Sequence, residues 1–103
     1  AIDKDFLDLA GMQEYEKVDV HNVTNGERFS TYLILAEAGS KTLSVNGAAA
    51  HKVSLNDIVI ICTYGSYNES EAKLHEPTLV YFDKDNNVTN IKNKIPEQRL
   101  KSV

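Results

Sequence analysis

Lys17-Val18-Asp19-Val20-His21-Asn22-Val23-Thr24-Asn25-Gly26-Glu27-Arg28-Phe29-Ser30-Thr31-Tyr32 is the stretch on which the reading of this chain turns. Apolar and polar residues alternate up to Val23 and again after Gly26, with the period of two that marks a strand with one buried face. Asn25-Gly26 between them is the strongest short-range hairpin signal, because both central residues of a type I′ turn need positive φ. Strands are therefore predicted over residues 17–23 and 28–36. On the second strand Arg28, Ser30 and Tyr32 share one face, while Phe29 and Thr31 take the other. A guanidinium, whose planar fork suits a carboxylate, thus points the same way as a phenol able to donate a hydrogen bond or a proton.

Outward from the hairpin the signals stay short. Toward the N-terminus, Asp3 is a candidate N-cap and Gly11 a candidate C-terminal stop for a brief helix. On the other side, residues 41–45 read as a third strand and residues 46–52 as a turn leading into a single helical turn. The near-continuous apolar run from Ile58 to Tyr64 predicts the core strand, buried on both faces. Residues 68–75 suit a helix with an acidic start and a basic last turn, stopped by Pro77. Thr78-Leu79-Val80-Tyr81-Phe82 predicts another strand, followed by a polar turn over residues 83–87. Residues 89–103 are mostly polar and are expected to be weakly ordered or to cover a partner surface. Short strands with only short helices point to a mainly β protein, a small barrel or sandwich. One domain over residues 1–103 is expected, with residues 1–88 as its barrel portion.

Composition removes several classes. With Lys+Arg 11 against Asp+Glu 15 and a net charge of −4, the chain lacks the basic footprint of a general nucleic-acid binder. No run approaches the ~18 apolar residues of a membrane span, so a soluble protein is expected. The single cysteine, Cys62, excludes an intrachain disulfide and suggests a buried thiol in a reducing compartment. The N-x-Ser/Thr triplets at Asn22, Asn68 and Asn87 read as chance matches without a secretory context. His21, His51 and His75 lie far apart, so no metal site is expected. A nucleophile elbow, a phosphate loop and a dinucleotide fingerprint are all missing.

Taken singly, the site candidates have ordinary explanations. Arg28 could be a solvated strand residue and Tyr32 a packing residue. Asn46-Gly47-Ala48-Ala49-Ala50 leaves the backbone bare, so a ligand can approach its amides, and a helix start there would favour an anion. Tight packing between subunits would select the same small residues.

Ala1-Ile2-Asp3, Asn22-Val23-Thr24-Asn25-Gly26, Arg28-Phe29-Ser30-Thr31-Tyr32, Ser44-Val45-Asn46-Gly47-Ala48-Ala49-Ala50-His51 and Asp57-Ile58-Val59-Ile60-Ile61 occur here in one order. Together they resemble the bacterial aspartate 1-decarboxylases, pyruvoyl enzymes that make β-alanine for pantothenate synthesis. The likeness runs from Ala1 to about Phe82. It implies a double-psi β-barrel, a cytoplasmic homotetramer with active sites between subunits, and a proenzyme that cuts itself at a Gly-Ser bond. This chain would be the larger fragment, its covalent pyruvoyl group derived from a serine upstream of Ala1. The small N-terminal fragment would complete the barrel and carry a substrate-binding Lys and a further Tyr.

The resemblance also implies roles. L-Aspartate would be decarboxylated through a Schiff base, with neither metal nor pyridoxal. Tyr32 matches the proton donor, Thr31 the threonine implicated in self-cleavage, and Asn46 a residue near the pyruvoyl oxygen. Arg28 matches the carboxylate clamp. Physically it should favour the side-chain carboxylate, because stabilising the α-carboxylate opposes its loss. The amides of Gly47, Ala48 and Ala49 would contact the substrate's carboxylate region, and Ile60 would line the pocket besides serving the core. An ideal strand points Thr31 away from Tyr32, so either the strand is bulged or Thr31 works from the other side. Asn56 stands where the family usually has glycine, and His21 where it is variable or aromatic. The rival reading is a non-enzymatic binding module on the same small barrel. An oligonucleotide-binding barrel is disfavoured by the acidic balance.

Overall fold

A computed structural model describes residues 1–98. They are mainly strands with few short helices, consistent with a small β-barrel. The chain divides into two units, Ala1–Ser66 and a second that begins at Tyr67.

The first unit opens with β1 (Ile2–Asp3) running straight into α1 (Lys4–Ala10). Asp3 is the hinge between them. Its carboxylate caps the helix by accepting the Asp5 N–H at 2.8 Å, and it also takes the N–H groups of Gly39 at 3.1 Å and Lys41 at 2.8 Å. Burial alone would raise this carboxyl, but those three donors outweigh it and hold Asp3 below the ordinary carboxylate value. Gly11 closes the helix at φ 71, left-handed as predicted for a C-terminal stop.

β2 (Lys17–Asn22) pairs antiparallel with β3 (Arg28–Tyr32), as the hairpin signal predicts. The turn itself differs from the expected two-residue type I′. Gly26 alone of the Asn25-Gly26 pair has positive φ, at 79, and its N–H reaches back to the Asn22 carbonyl at 2.8 Å. The reason is the Asn22 side chain, whose Oδ1 accepts the N–H groups of Thr24 and Asn25 at 3.0 and 3.3 Å and winds residues 23–25 into a helical turn. After Tyr32 the second strand breaks rather than continuing through residue 36. β4 (Leu35–Ala36) instead pairs in parallel with β1.

Residues 41–45 form only a bridge, Leu43 opposite Ile2, not the expected strand. Lys41 is held in the left-handed region, φ 54, with its N–H on Asp3, so the chain is turned before a strand can extend. A 3-10 helix, Gly47–Lys52, supplies the predicted helical turn. β5 (Val59–Cys62) then pairs antiparallel with β2. The sheet order is β3-β2-β5, which makes β2 the central strand, not β5. Burial in β5 alternates, with Val59 and Ile61 half-buried and Ile60 51% exposed, because one face of the sheet meets the core and the other is open. Cys62 is half-buried, on the open face across from Asp19.

The core is small. Ile2, Leu7, Val18, Val20 and Leu33 are buried, with Phe6, Met12, Phe29, Val59 and Ile61 packed against them. Among the described residues β3 and β5 each keep one unpaired edge, so the barrel is not closed.

The second unit contains α2 (Glu69–Leu74), β6 (Leu79–Phe82) and β7 (Val88–Lys92). Asn68 and Glu71 close a capping box on α2, and the Tyr67 and His75 rings stack with centroids 4.3 Å apart. Residues 89–92, read from sequence as the start of a polar tail, continue from Val88 as the strand β7, paired antiparallel with β6. Asp83 makes this possible by accepting the N–H groups of Asp85 and Asn87, both at 2.9 Å, which reverses the chain. The last part of the expected tail, residues 99–103, lies outside the described residues.

Candidate active site

A cleft of about 440 Å³ opens on the inner side of β3. Its floor is the apolar face of the sheet, where Val18, Val20, Phe29, Val59 and Ile61 alternate inward. Ala1, Ile2 and the stretch from Leu43 to Ala49 form the facing wall. Thr31, Tyr32, Asn46, Gly47, Ala48 and Ala49 therefore meet in one cavity, although they come from two separate segments.

Thr31 and Tyr32 reach it by different routes. Residues 28–32 pair in step with residues 17–21, so β3 carries no bulge. Thr31 belongs to the inward set with Phe29, whereas Tyr32, 58% exposed, bounds the cleft from the strand's edge. That edge is open because β3 has only β2 as a neighbour. Asn22 N–H bonds Glu27 C=O, and Leu33 N–H bonds Glu16 C=O. By alternation, the backbone groups of Arg28, Ser30 and Tyr32 turn to the unpaired side.

Across the cleft, Asn46 occupies the cap position of the 3-10 helix yet makes no capping hydrogen bond with its side chain. The first N–H groups of the helix likewise have no partner inside it. Gly47 is at φ 65, and a Cβ built there meets nothing within 4 Å. Backbone conformation rather than crowding thus requires glycine. Asn56 is likewise left-handed, at φ 73, which accounts for asparagine standing where glycine serves.

Ala1 enters the cleft as an antiparallel partner of Ser44. Its nitrogen donates to the Ser44 carbonyl at 2.7 Å and its carbonyl accepts the Ser44 N–H at 2.9 Å.

Two of the residues singled out from sequence stand elsewhere. Arg28 is exposed on the outer face, in a row with His21 and Ile60, and makes no hydrogen bond or ion pair with the described residues. Ile60 does not line this cleft. Its neighbours Val59 and Ile61 do, since strand alternation sends Ile60 to the opposite face. The lining residues that sequence reasoning did not single out are mostly apolar, and Ser44, whose backbone pairs with Ala1, lies among them. Only the phase of the alternation, once β2 and β5 are aligned, marks which of them face inward.

Asn22 opens the Asn22-Val23-Thr24-Asn25-Gly26 motif and a glycosylation triplet. It is 2% exposed, and both ends of its amide are hydrogen-bonded, so no glycan can be carried there in this fold. Among the described residues no His, Cys, Asp or Glu side chains group to hold a metal ion.

Fold and cleft together define a small, strand-rich protein that sets a hydroxyl, a phenol and a carboxamide around an apolar pocket at an open strand edge. A family model described as Aspartate decarboxylase matches residues 1–89. The aspartate 1-decarboxylase of Marinomonas sp. (strain MWYL1) is 58% identical over 99 residues, 96% of this chain and 79% of its own length. That of Saccharophagus degradans is 57% identical over 98 residues, 95% of this chain and 78% of its own length. The Pseudomonas aeruginosa (strain LESB58) enzyme is 52% identical over 98 residues, with the same coverage, 95% and 78%. The chain belongs to the aspartate decarboxylase family.

Proposed function

We propose that this protein converts L-aspartate to β-alanine and carbon dioxide with a covalent pyruvoyl group, serving pantothenate synthesis in the cytoplasm. The observation that carries the reading is the meeting of Ala1 with Thr31, Tyr32 and residues 46–49 in one cleft. An acyl group carried upstream of Ala1 would be brought to this cleft by the wall that Ala1 shares with residues 43–49. The residues present fit it: the small side chains of Gly47, Ala48 and Ala49 leave room, and the Asn46 carboxamide is free to donate to an acyl oxygen. When bound, the pyruvoyl carbonyl supplies an acceptor for the substrate's amine and for the electron pair released with carbon dioxide.

The chain's own residues hold the substrate and move the proton. Tyr32 donates a proton to the carbon that has lost its carboxylate, from a phenol at the strand edge. Thr31, on the inner face, offers a hydroxyl to the scissile carbonyl during self-cleavage. The amides of Gly47, Ala48 and Ala49 meet a carboxylate of the substrate. Arg28 clamps the side-chain carboxylate. It is exposed and unbonded among the described residues on the face away from this cleft, so in this reading it serves a cleft of a neighbouring subunit. The open edges of β3 and β5 support a small N-terminal fragment that completes the barrel, within a homotetramer.

Incubation of the purified protein with L-aspartate, with β-alanine measured by mass spectrometry, tests the reaction. Intact-mass analysis tests the pyruvoyl group. Absence of β-alanine from a protein that carries the group would leave the binding-module reading in its place.

A further inference from the structure

The two walls of the cleft belong to separate segments, β3 and the 3-10 helix Gly47–Lys52, and a cluster at the far end of both ties them together. Lys52 ends the helix without a left-handed cap. Its carbonyl accepts two side-chain amides from the hairpin, Asn22 Nδ2 at 3.0 Å and Asn25 Nδ2 at 3.0 Å. The Lys52 ammonium meets the Glu27 carboxylate at 3.3 Å across the same gap. Asn22 also donates to the Asp57 carboxylate at 2.8 Å, which accepts the Ser54 N–H at 2.8 Å. Thr24 Oγ1 accepts the Ile58 N–H at 2.9 Å. The hairpin loop thereby grips the exit of the helix, and the helix entrance carries the amides that line the cleft.

We propose that Asn25 and Asn22 are positioning residues: their amides, clamped on the Lys52 carbonyl, set where the amides of Gly47, Ala48 and Ala49 stand relative to β3. The proposal rests on the assignment of those amides to a carboxylate of the substrate. Their work would be ground-state and transition-state binding in equal measure, so a loosened clamp raises KM and leaves kcat in place.

Asn25→Asp isolates the clamp. The retained Oδ1 still accepts the Glu27 N–H, at 2.9 Å in the parent, so the turn is kept. The donor to Lys52 is replaced by an oxygen that repels the carbonyl. In the intact, processed protein this variant should raise the KM for L-aspartate about fivefold, the scale of one hydrogen bond, with kcat within about twofold. Hydrogen exchange at the amides of Gly47–Lys52 should quicken, while exchange in β2 stays unchanged. Asn25→Gln, which keeps a donor on a longer arm, should recover part of the loss. An unchanged KM, or unchanged exchange in the 3-10 helix, would overturn the proposal, as would a fall in kcat at constant KM, the mark of a smaller folded fraction. Should the parent protein itself fail to turn over aspartate, the assignment of substrate fails. The exchange measurement still decides whether the clamp holds the helix.

Discussion

The two ends of the β3 strand are built in opposite ways. At the hairpin end nearly every polar side chain is committed: Asn22, Thr24, Asn25, Glu27, Lys52 and Asp57 bond one another or nearby backbone. At the cleft end the Tyr32 ring is exposed, the Asn46 side chain caps nothing, and the strand edge is unpaired. Saturation gives one end a fixed geometry, because a buried polar group that loses its partner bears the full cost of desolvation. The unsatisfied end is where a ligand gains most, since its donors are aimed and have no internal partner to give up.

The contrast is broken most severely from the cleft end. Tyr32→Phe removes the phenol and keeps the ring, so β-alanine formation should fall by about 10²–10⁴. Its thermal midpoint should stay that of the parent. A variant with full activity would remove Tyr32 from the chemistry and return it to a packing role.

Beneath the cleft, packing does what hydrogen bonds do at the other end. Leu33 is 2% exposed and lines the floor, so Leu33→Ala should lower unfolding free energy by about 2–5 kcal/mol in a denaturant titration. A loss well under 1 kcal/mol would mean that the floor is not held from below.

Acid sharpens the comparison from the hairpin end. The Asn22 amide, followed by the Ser54 N–H, holds Asp57 below its ordinary value of 3.8 against the opposing effect of burial. A carboxyl depressed in the folded state stabilises fully above its unfolded pKa, and the contribution is lost as pH falls through the folded one. Stability should therefore decline from near 3.8 downward, and the decline should be shallower in Asp57→Asn. Unfolding midpoints taken from about pH 6 to about pH 2 would measure it. Equal slopes would assign the acid loss to Asp3 and other carboxyls.

The smallest effect belongs to the Glu27–Lys52 pair, whose side chains are 52% and 46% exposed. Glu27→Gln should change stability by at most about 1 kcal/mol and less in high salt. A larger loss would make the ion pair, rather than the amides, the main tie between hairpin and helix.

How much of this was legible in the sequence differs between the same two ends. The hairpin, the Asp3 and Gly11 caps of α1 and the capped helix after Asn68 are local devices, and local spacing reveals them. Asn25-Gly26 announced a turn but not its form, because the decisive atoms belong to Asn22, three residues earlier. The parts of the cleft wall were each visible as motifs. Their convergence was not, since it depends on Ala1 pairing with Ser44 across the chain. Ile60 shows the same limit: an apolar run tells that a strand is hydrophobic, while only pairing with His21 on β2 tells which of its residues faces out. Family likeness supplied what spacing could not, the prospect of a prosthetic group that no residue of this chain encodes.

The Asn25-Gly26 tip also carries a chemical clock. Asn-Gly is the dipeptide most prone to deamidation, in which the glycine nitrogen attacks the asparagine side chain and leaves aspartate or isoaspartate. Here that nitrogen is held by the Asn22 carbonyl at 2.8 Å, and the Asn25 amide is engaged at both ends. The folded hairpin therefore shelters a bond that the unfolded chain exposes. Prolonged storage in mild alkali should age this residue slowly, and denaturant should speed it sharply. Either product at Asn25 lacks the side-chain amide donor to Lys52, so an aged preparation should share the loosened clamp of the Asn25→Asp variant.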